Sequence, residues 1–145
     1  AYGENGRPEA TERAVDLSIT HTRSFVFCAL AVGEAGIRIG LDAEPICTYP
    51  HEKMERLACR WFSEEERAFW QDEPTAERFT ELWTKKEAVV KRSGDGLCAV
   101  TATNVTNAAE FFAVYRCGDH VVTLSYPEGE VPPDAPEWYT DPNRS

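Results

Sequence analysis

Residues 36–44, GIRIGLDAE, alternate strictly between aliphatic side chains and polar or small ones, and Pro45 follows them. A period of two is typical of an extended strand, in which successive side chains point to opposite faces. The aliphatic residues therefore share one face, and Asp42 and Glu44 leave the other face together. Proline ends the strand because it has no backbone N–H to donate to a ladder. The segment predicts a strand with one buried face and two neighbouring carboxylates.

Two further strands are predicted before this segment, and a hairpin is predicted near the end of the chain. Residues 15–20, VDLSIT, alternate in the same way, whereas residues 24–32, SFVFCALAV, are almost continuously apolar. We expect the second of these strands to be the more buried. The apolar stretches on either side of Gly118 and Asp119, EFFAVYRC and HVVTLSY, predict a β-hairpin.

Three helices are predicted between the third strand and the hairpin. Apolar residues between 54 and 61 follow the i, i+3, i+4, i+7 rule and predict the first. Ser63 with Glu66 fits a capping box at the start of the second. Asp72 and Pro74 open the third, which ends at Gly94. The order of strands, helices and hairpin predicts an α+β fold with a mainly antiparallel sheet packed with helices.

The composition limits the domain count and the class of partner. The chain has 145 residues and a formal net charge of −10, so it fits one domain and is not attracted nonspecifically to nucleic acid or anionic membrane. It has no transmembrane stretch or targeting signal, and five cysteines without a CxxC pair favour reduced thiols, so we expect a cytoplasmic protein. We predict a folded lobe over residues 1–126 and an extended, proline-rich tail over 127–145.

The third helix carries an unusual set of charges in WTKKEAVVKRSGDG, residues 83–96. Trp83, Glu87 and Lys91 are spaced by four and lie on one stripe. The plain interpretation is an amphipathic helix whose charges face water, with an ion pair worth a few tenths of a kcal/mol. The alternative is that Glu87 joins the two strand carboxylates as oxygen ligands of a hard cation such as Mg²⁺. Lys91 would then be a point charge for a phosphate group.

Four motifs in the same order resemble those of the 4′-phosphopantetheinyl transferase superfamily, especially its surfactin-type subclass. GLDAE is similar to that subclass's G-hydrophobic-D-x-E strand, and WTKKEAVVKRSGDGL is similar to its W-[ST]-x-K-E-A-x-x-K helix ending in G-x-G-L. SITHT is similar to its S-x-S-H-S segment, and NGRP to its Y-G-K-P segment. The resemblance runs from about Gly6 to Tyr126 and implies a transferase-like α+β lobe.

The resemblance also implies roles for individual residues. It makes Asp42, Glu44 and Glu87 metal ligands. It assigns cofactor binding to four basic residues: Arg7, His21, Lys86 and Lys91. Glu66, at the acidic position of WFSEEE, falls near the metal and is a candidate catalytic residue with Glu87 and Lys91. Taken alone, His21 reads as an ordinary strand histidine and Glu66 as the acid of a capping box.

Enzymes of this family transfer the 4′-phosphopantetheine arm of coenzyme A to a serine hydroxyl of an acyl or peptidyl carrier protein, and release 3′,5′-ADP. The resemblance therefore implies Mg²⁺, with Mn²⁺ equally suited to the ligands, and coenzyme A as substrate. Glu87, directly or through a water molecule, is the candidate base for the serine proton.

The chain departs from the surfactin-type pattern because those enzymes pair two similar lobes around one site, and this sequence resembles the second lobe. Two explanations compete: a domain integrated in a polyketide or fatty-acid synthase, or a lobe that forms a homo-oligomer. Because carrier proteins are acidic too, we expect the carrier to be tethered in the same polypeptide or assembly. Equally efficient modification of a free carrier at matched concentration would contradict tethering. Two rival functions are an incomplete lobe that only docks a carrier or completes another lobe's site, and a hot-dog-like or other α+β packing module.

Overall fold

A computed structural model describes residues 15–33, 36–107 and 109–139. In chain order it contains β1 Val15–His21, β2 Val26–Val32, β3 Gly40–Pro45, α1 His51–Trp61, α2 Glu64–Asp72, α3 Ala76–Ser93, a 3₁₀ helix Leu97–Ala102, β4 Phe111–Cys117 and β5 His120–Tyr126. The predicted α+β class is confirmed. None of the helices described is both long and apolar enough to cross a membrane.

The strands form two separate antiparallel sheets. β3, β5 and β4 lie side by side in that order, and β1 pairs only with β2 in a hairpin. α3 packs against β3 and β5. One apolar cluster lies among the helices, around Trp70 and Leu82. A second lies between the hairpin and the larger sheet, around Phe27 and Leu41. α3 therefore runs between the larger sheet and the helical core.

The helix boundaries follow the predicted signals with one correction. Ser63 and Glu66 form the complete capping box of α2. Gly94 ends α3 in the left-handed conformation, with φ of 80°. Asp72, however, is the last residue of α2, and the side chain of Thr75 caps α3 by accepting a hydrogen bond from Arg78 N. Thr75, rather than Asp72, is the cap because its hydroxyl oxygen accepts a hydrogen bond from one of the backbone N–H groups that the start of a helix leaves unpaired.

The prediction that β2 is the more buried strand of the hairpin is wrong. Val26, Leu30 and Val32 are 75%, 63% and 72% exposed. Only the opposite face of β2, which includes Phe27, packs against the larger sheet. The continuous apolar run therefore reflects an inner apolar face and a second apolar face that the described residues leave uncovered.

The described part of the predicted tail returns to the body of the protein. Residues 127–139 contain neither helix nor strand. The Tyr115 hydroxyl donates a hydrogen bond to Pro133 O at 2.7 Å. The Trp138 ring lies 6.0 Å from the ring of Phe25 and 6.3 Å from that of Phe27, between centroids. The tail thus packs on the tip of the β1–β2 hairpin.

Candidate active site

A close approach of two backbones, β3 and α3, builds the site. A Cβ atom placed on Gly40 would lie 1.9 Å from Ala88 O and 2.6 Å from Arg92 N. Only a residue without a side chain allows this contact. Asp42 lies two residues after Gly40 on the same face of the strand, and Glu87 and Lys91 flank Ala88 on the helix. The glycine therefore brings the strand acids and the helix charges together.

Asp42, Glu44 and Glu87, which we call the acid cluster, influence one another electrostatically. Burial raises the pKa of Asp42, and Lys91 opposes the rise. Burial, and then the charge of Asp42, raise the pKa of Glu44. Burial, Asp42 and Glu44 raise the pKa of Glu87 to about 7, although Lys91 lowers it. Asp42 and Glu87 are only 4% and 8% exposed. The plain interpretation of α3, with its charges facing water, does not hold for Glu87, which is buried beside other acids.

Lys91 is the cation of the site. Its Nζ donates to Asp42 Oδ1 at 2.6 Å and to Thr20 Oγ1 at 3.2 Å. The hydroxyl of Thr20 also lies 3.3 Å from Asp42 Oδ1 and donates to it. The ammonium and the hydroxyl thus meet on one carboxylate oxygen. Thr20 was not among the residues predicted for the site, although its neighbour His21 was.

Side chains of β1 hold the hairpin against the free edge of β3. Asp16 Oδ2 accepts a hydrogen bond from Ile39 N at 2.7 Å, and Ser18 Oγ accepts one from Leu41 N at 2.8 Å. Thr20 comes next along the same face and reaches Asp42. These contacts satisfy backbone groups that an edge strand would otherwise leave unpaired. The alternation of VDLSIT puts Thr20 on the same face as Asp16 and Ser18, but it does not say that this face meets β3.

Of the other predicted cofactor residues, His21 and Lys86 are described by the structure, and neither makes a described contact with the acid cluster. His21 ends β1 and is exposed, one position beyond Thr20. Arg7 lies outside the described residues. Lys86 and Glu66 are fully buried and form an ion pair with each other at 2.7 Å. Neither side chain is exposed in this arrangement, and the cofactor contact of Lys86 and the catalytic role of Glu66 stay predictions.

The acid cluster fits the donor set of a hard divalent cation. Asp42 Oδ2 is buried and accepts no hydrogen bond of ordinary geometry. Carboxylate oxygens are the ligands that Mg²⁺ and Mn²⁺ prefer. Within the described residues no ready group of three His, Cys, Asp or Glu ligands is assembled. The Lys91 ammonium lies against Asp42, 2.6 Å from Oδ1.

A pocket of about 490 Å³ begins at Glu44. Its walls are mostly aromatic and aliphatic and come from the β3–α1 connection, α1 and α3. Residues on these walls include Ile46, Tyr49, Leu57, Trp61 and Trp83. Polar groups of Thr48, Thr80 and Asp119 also line it. Pockets that combine apolar walls with some polar groups are typical of small-molecule sites. The acid cluster therefore opens onto an apolar pocket at Glu44.

Comparison with known protein families identifies the family of this chain. The family model of the 4′-phosphopantetheinyl transferase superfamily matches residues 38–127, which include the whole acid cluster and Lys91. This chain belongs to that superfamily. No individual curated protein matches it significantly. The β1–β2 hairpin, with Thr20 and His21, lies before the matched residues.

Proposed function

We propose that this chain transfers the 4′-phosphopantetheine arm of coenzyme A to a serine hydroxyl of an acyl or peptidyl carrier protein, as a surfactin-type holo-carrier synthase. Membership of the superfamily supports phosphopantetheine transfer in general. The observation that carries the finer proposal is the acid cluster with Lys91, which β3 and α3 bring together across the Gly40 contact. Three coupled carboxylates and a lysine are groups suited to phosphoryl transfer.

The acid cluster would hold Mg²⁺ or Mn²⁺, which supplies charge neutralisation and polarisation of phosphate oxygens when bound. Lys91 binds and orients a phosphate of coenzyme A once its ammonium leaves Asp42. Glu87, directly or through a water molecule, accepts the proton of the attacking serine, because a carboxylate placed beside the reacting groups can act as a general base. The serine oxygen bonds to the β-phosphorus, and the bond from phosphorus to the oxygen of 3′,5′-ADP breaks.

The apolar pocket suits the part of the substrate beyond the pyrophosphate. The pantetheine arm is joined to the β-phosphate, so it starts where the acid cluster and Lys91 act. The pocket starts at Glu44 and is lined by aromatic and aliphatic side chains. An arm with apolar segments and two amides fits such a surface. We therefore assign the arm to the pocket between α1 and α3.

The experiment that tests the function is intact-protein mass spectrometry of a panel of apo carrier proteins incubated with this chain, coenzyme A and Mg²⁺. We expect a phosphopantetheine mass increase on at least one carrier, and none when EDTA is present. A chain that binds coenzyme A but modifies no carrier would refute activity of the isolated lobe. A chain that does not bind coenzyme A would refute the proposed function.

The second candidate function is a catalytically incomplete lobe that docks a carrier or completes the site of another lobe. The uncovered outer face of the β1–β2 hairpin favours this role. Its exposed apolar residues are Ile19, Val26, Leu30 and Val32. It also carries His21, which the register pairs with Val26. Apolar faces of this kind are typical of surfaces that contact another protein.

We propose that a second copy of the chain covers this face. Apart from His21, the face carries no acidic or basic side chain, so two chains of net charge −10 can meet here without placing like charges against each other.

Leu30→Lys is expected to abolish self-association, measured by sedimentation equilibrium, because a charge on the buried part of an interface is costly. Lys53→Leu, at an exposed position of α1, is the control. A monomeric wild-type chain would refute the second copy and leave a separate first lobe as occupant.

A further inference from the structure

The most completely buried charges in the described chain lie outside the acid cluster. The side chains of Glu66 and Lys86 are both 0% exposed, and Lys86 Nζ donates to Glu66 Oε2 at 2.7 Å. Lys86 Nζ also donates to Thr103 O. Glu66 accepts from Ser63 N at Oε2 and from Val105 N at Oε1, both at 2.8 Å. We call these two residues the buried pair; its hydrogen bonds are all made inside the protein.

The buried pair joins three segments of the chain. Glu66 belongs to the first turn of α2 and Lys86 to the middle of α3. Thr103 and Val105 belong to the connection between the 3₁₀ helix and β4. The opposite side of α3 is attached to the larger sheet. There Thr84 Oγ1 lies 2.8 Å from Thr123 Oγ1, and Gly40 meets Ala88. α3 is therefore held from both sides at the level of Glu87, the residue that follows Lys86.

Stability alone does not account for a pair of this kind. Removing two charges from water is costly, and apolar residues of the same volume often replace such pairs with no loss of stability. A hydrogen-bonded buried pair does, however, fix one arrangement of the segments it joins, because any other leaves a charge unpaired. The groups that orient a metal-binding carboxylate act in the same way on the ligand they support.

We propose that the Glu66–Lys86 pair positions α3 so that Glu87 faces Asp42 and Glu44, and that neither residue of the pair contacts coenzyme A. The inference rests on the proposed function. It replaces the catalytic and cofactor-binding roles that the family resemblance implies for Glu66 and Lys86. Both are positioning residues that act through Glu87.

The test compares the double variant Glu66→Gln/Lys86→Met with Lys85→Met. The double variant removes both charges and leaves the volume nearly unchanged, so neither charge is stranded. Lys85→Met makes the same change one residue earlier, at a partly exposed lysine paired with Glu81 at 2.7 Å. Glu66→Asp is the second variant, because it keeps the charge and shortens the carboxylate arm by one methylene.

The readouts are Mn²⁺ affinity of the metal-free protein, measured by electron paramagnetic resonance, and kcat and KM for coenzyme A. For the double variant we expect about 10-fold to 100-fold weaker Mn²⁺ binding and a similar fall in kcat. We expect KM for coenzyme A to change less than about 3-fold, and a smaller loss in Glu66→Asp. Lys85→Met should leave Mn²⁺ affinity unchanged.

Two results would overturn the inference while the proposed function stands. A rise in KM for coenzyme A with unchanged Mn²⁺ affinity would make Lys86 a cofactor contact. Wild-type Mn²⁺ affinity and kcat in a double variant with a lowered melting temperature would make the pair a packing element only. A wild-type chain that neither binds Mn²⁺ nor transfers phosphopantetheine would overturn both the inference and the proposed function.

Discussion

Glu87→Gln is expected to abolish phosphopantetheine transfer and to make the metal-free protein more stable at pH 8. The fold buries the Glu87 carboxylate beside Asp42 and Glu44, and these effects raise its pKa to about 7 against the opposing charge of Lys91. At pH 8 the folded state therefore holds an ionised group that its surroundings disfavour. Glutamine keeps the shape of the side chain without the charge. It also removes the proposed base and one proposed metal ligand.

The pH dependence follows from the direction of the shift. Between the ordinary pKa of 4.5 and about 7, the folded protein retains a proton that the unfolded chain has released. The contribution of Glu87 to wild-type stability therefore falls as the pH rises through this interval and does not change above it. The variant lacks this loss, so we expect it to be more stable than the wild type above pH 7 and to have no such advantage below pH 4.5.

Urea unfolding in EDTA between pH 4.5 and 8 measures this advantage, and mass spectrometry of the carrier measures transfer. We expect transfer to fall by about 10³-fold or more, the rate equivalent of several kcal/mol of lost transition-state stabilisation.

Glu81→Gln is the matched control on the same helix. Glu81 is partly buried, but Lys85 and Arg116 lower its pKa despite that burial. Its substitution should therefore reduce stability at pH 8 and spare transfer. Destabilisation by Glu87→Gln at pH 8, or retained transfer, would refute the acid cluster as a functional site.

The spacing of residues predicted the acid cluster because a period of two and a period of four say which side chains share a face. Asp42 and Glu44 share one face of a strand, and Glu87 and Lys91 share one stripe of a helix, whatever the rest of the chain does. The two faces meet because Gly40 has no side chain and lets β3 approach α3. The sequence alone does not show that this glycine contacts a helix. The family resemblance supplied that step.

Lys86 and Thr20 show what spacing alone leaves open. Lysine is almost never fully buried unless it is paired, and the partner of Lys86 lies 20 residues earlier, on another helix. A single sequence does not reveal such a pair. Thr20 reaches the site because the side chains of Asp16 and Ser18 accept hydrogen bonds from the backbone at the edge of β3. The periodicity of a strand shows which side chains share a face, but not that this face binds the edge of another strand. The same limit explains β2, since an apolar run does not say whether both faces are covered.

Gly40→Ala is expected to cause the largest loss of stability. The new methyl group would lie 1.9 Å from Ala88 O and 2.6 Å from Arg92 N, and both are backbone atoms of α3 that no rotamer change can move. β3 and α3 would have to separate along the central contact of the fold. We expect a loss of at least about 3 kcal/mol in the free energy of unfolding, above the usual cost of overpacking a core. That is a large part of the total stability of an ordinary domain.

Gly33→Ala is the control for this change. Among the described residues, a Cβ atom on Gly33 would meet the end of the Ile37 side chain at 3.6 Å, which is ordinary van der Waals contact. We expect unchanged or slightly higher stability, because alanine restricts the unfolded chain. Urea unfolding midpoints compare the two variants.

If Gly40→Ala folds, β3 and α3 lie farther apart. We therefore expect this variant to lose both the hydrogen bond of Lys91 to Asp42 and the binding of Mn²⁺ by the acid cluster. Equal midpoints for Gly40→Ala and wild type would show that β3 and α3 do not meet at this glycine, which would remove the geometric basis of the acid cluster.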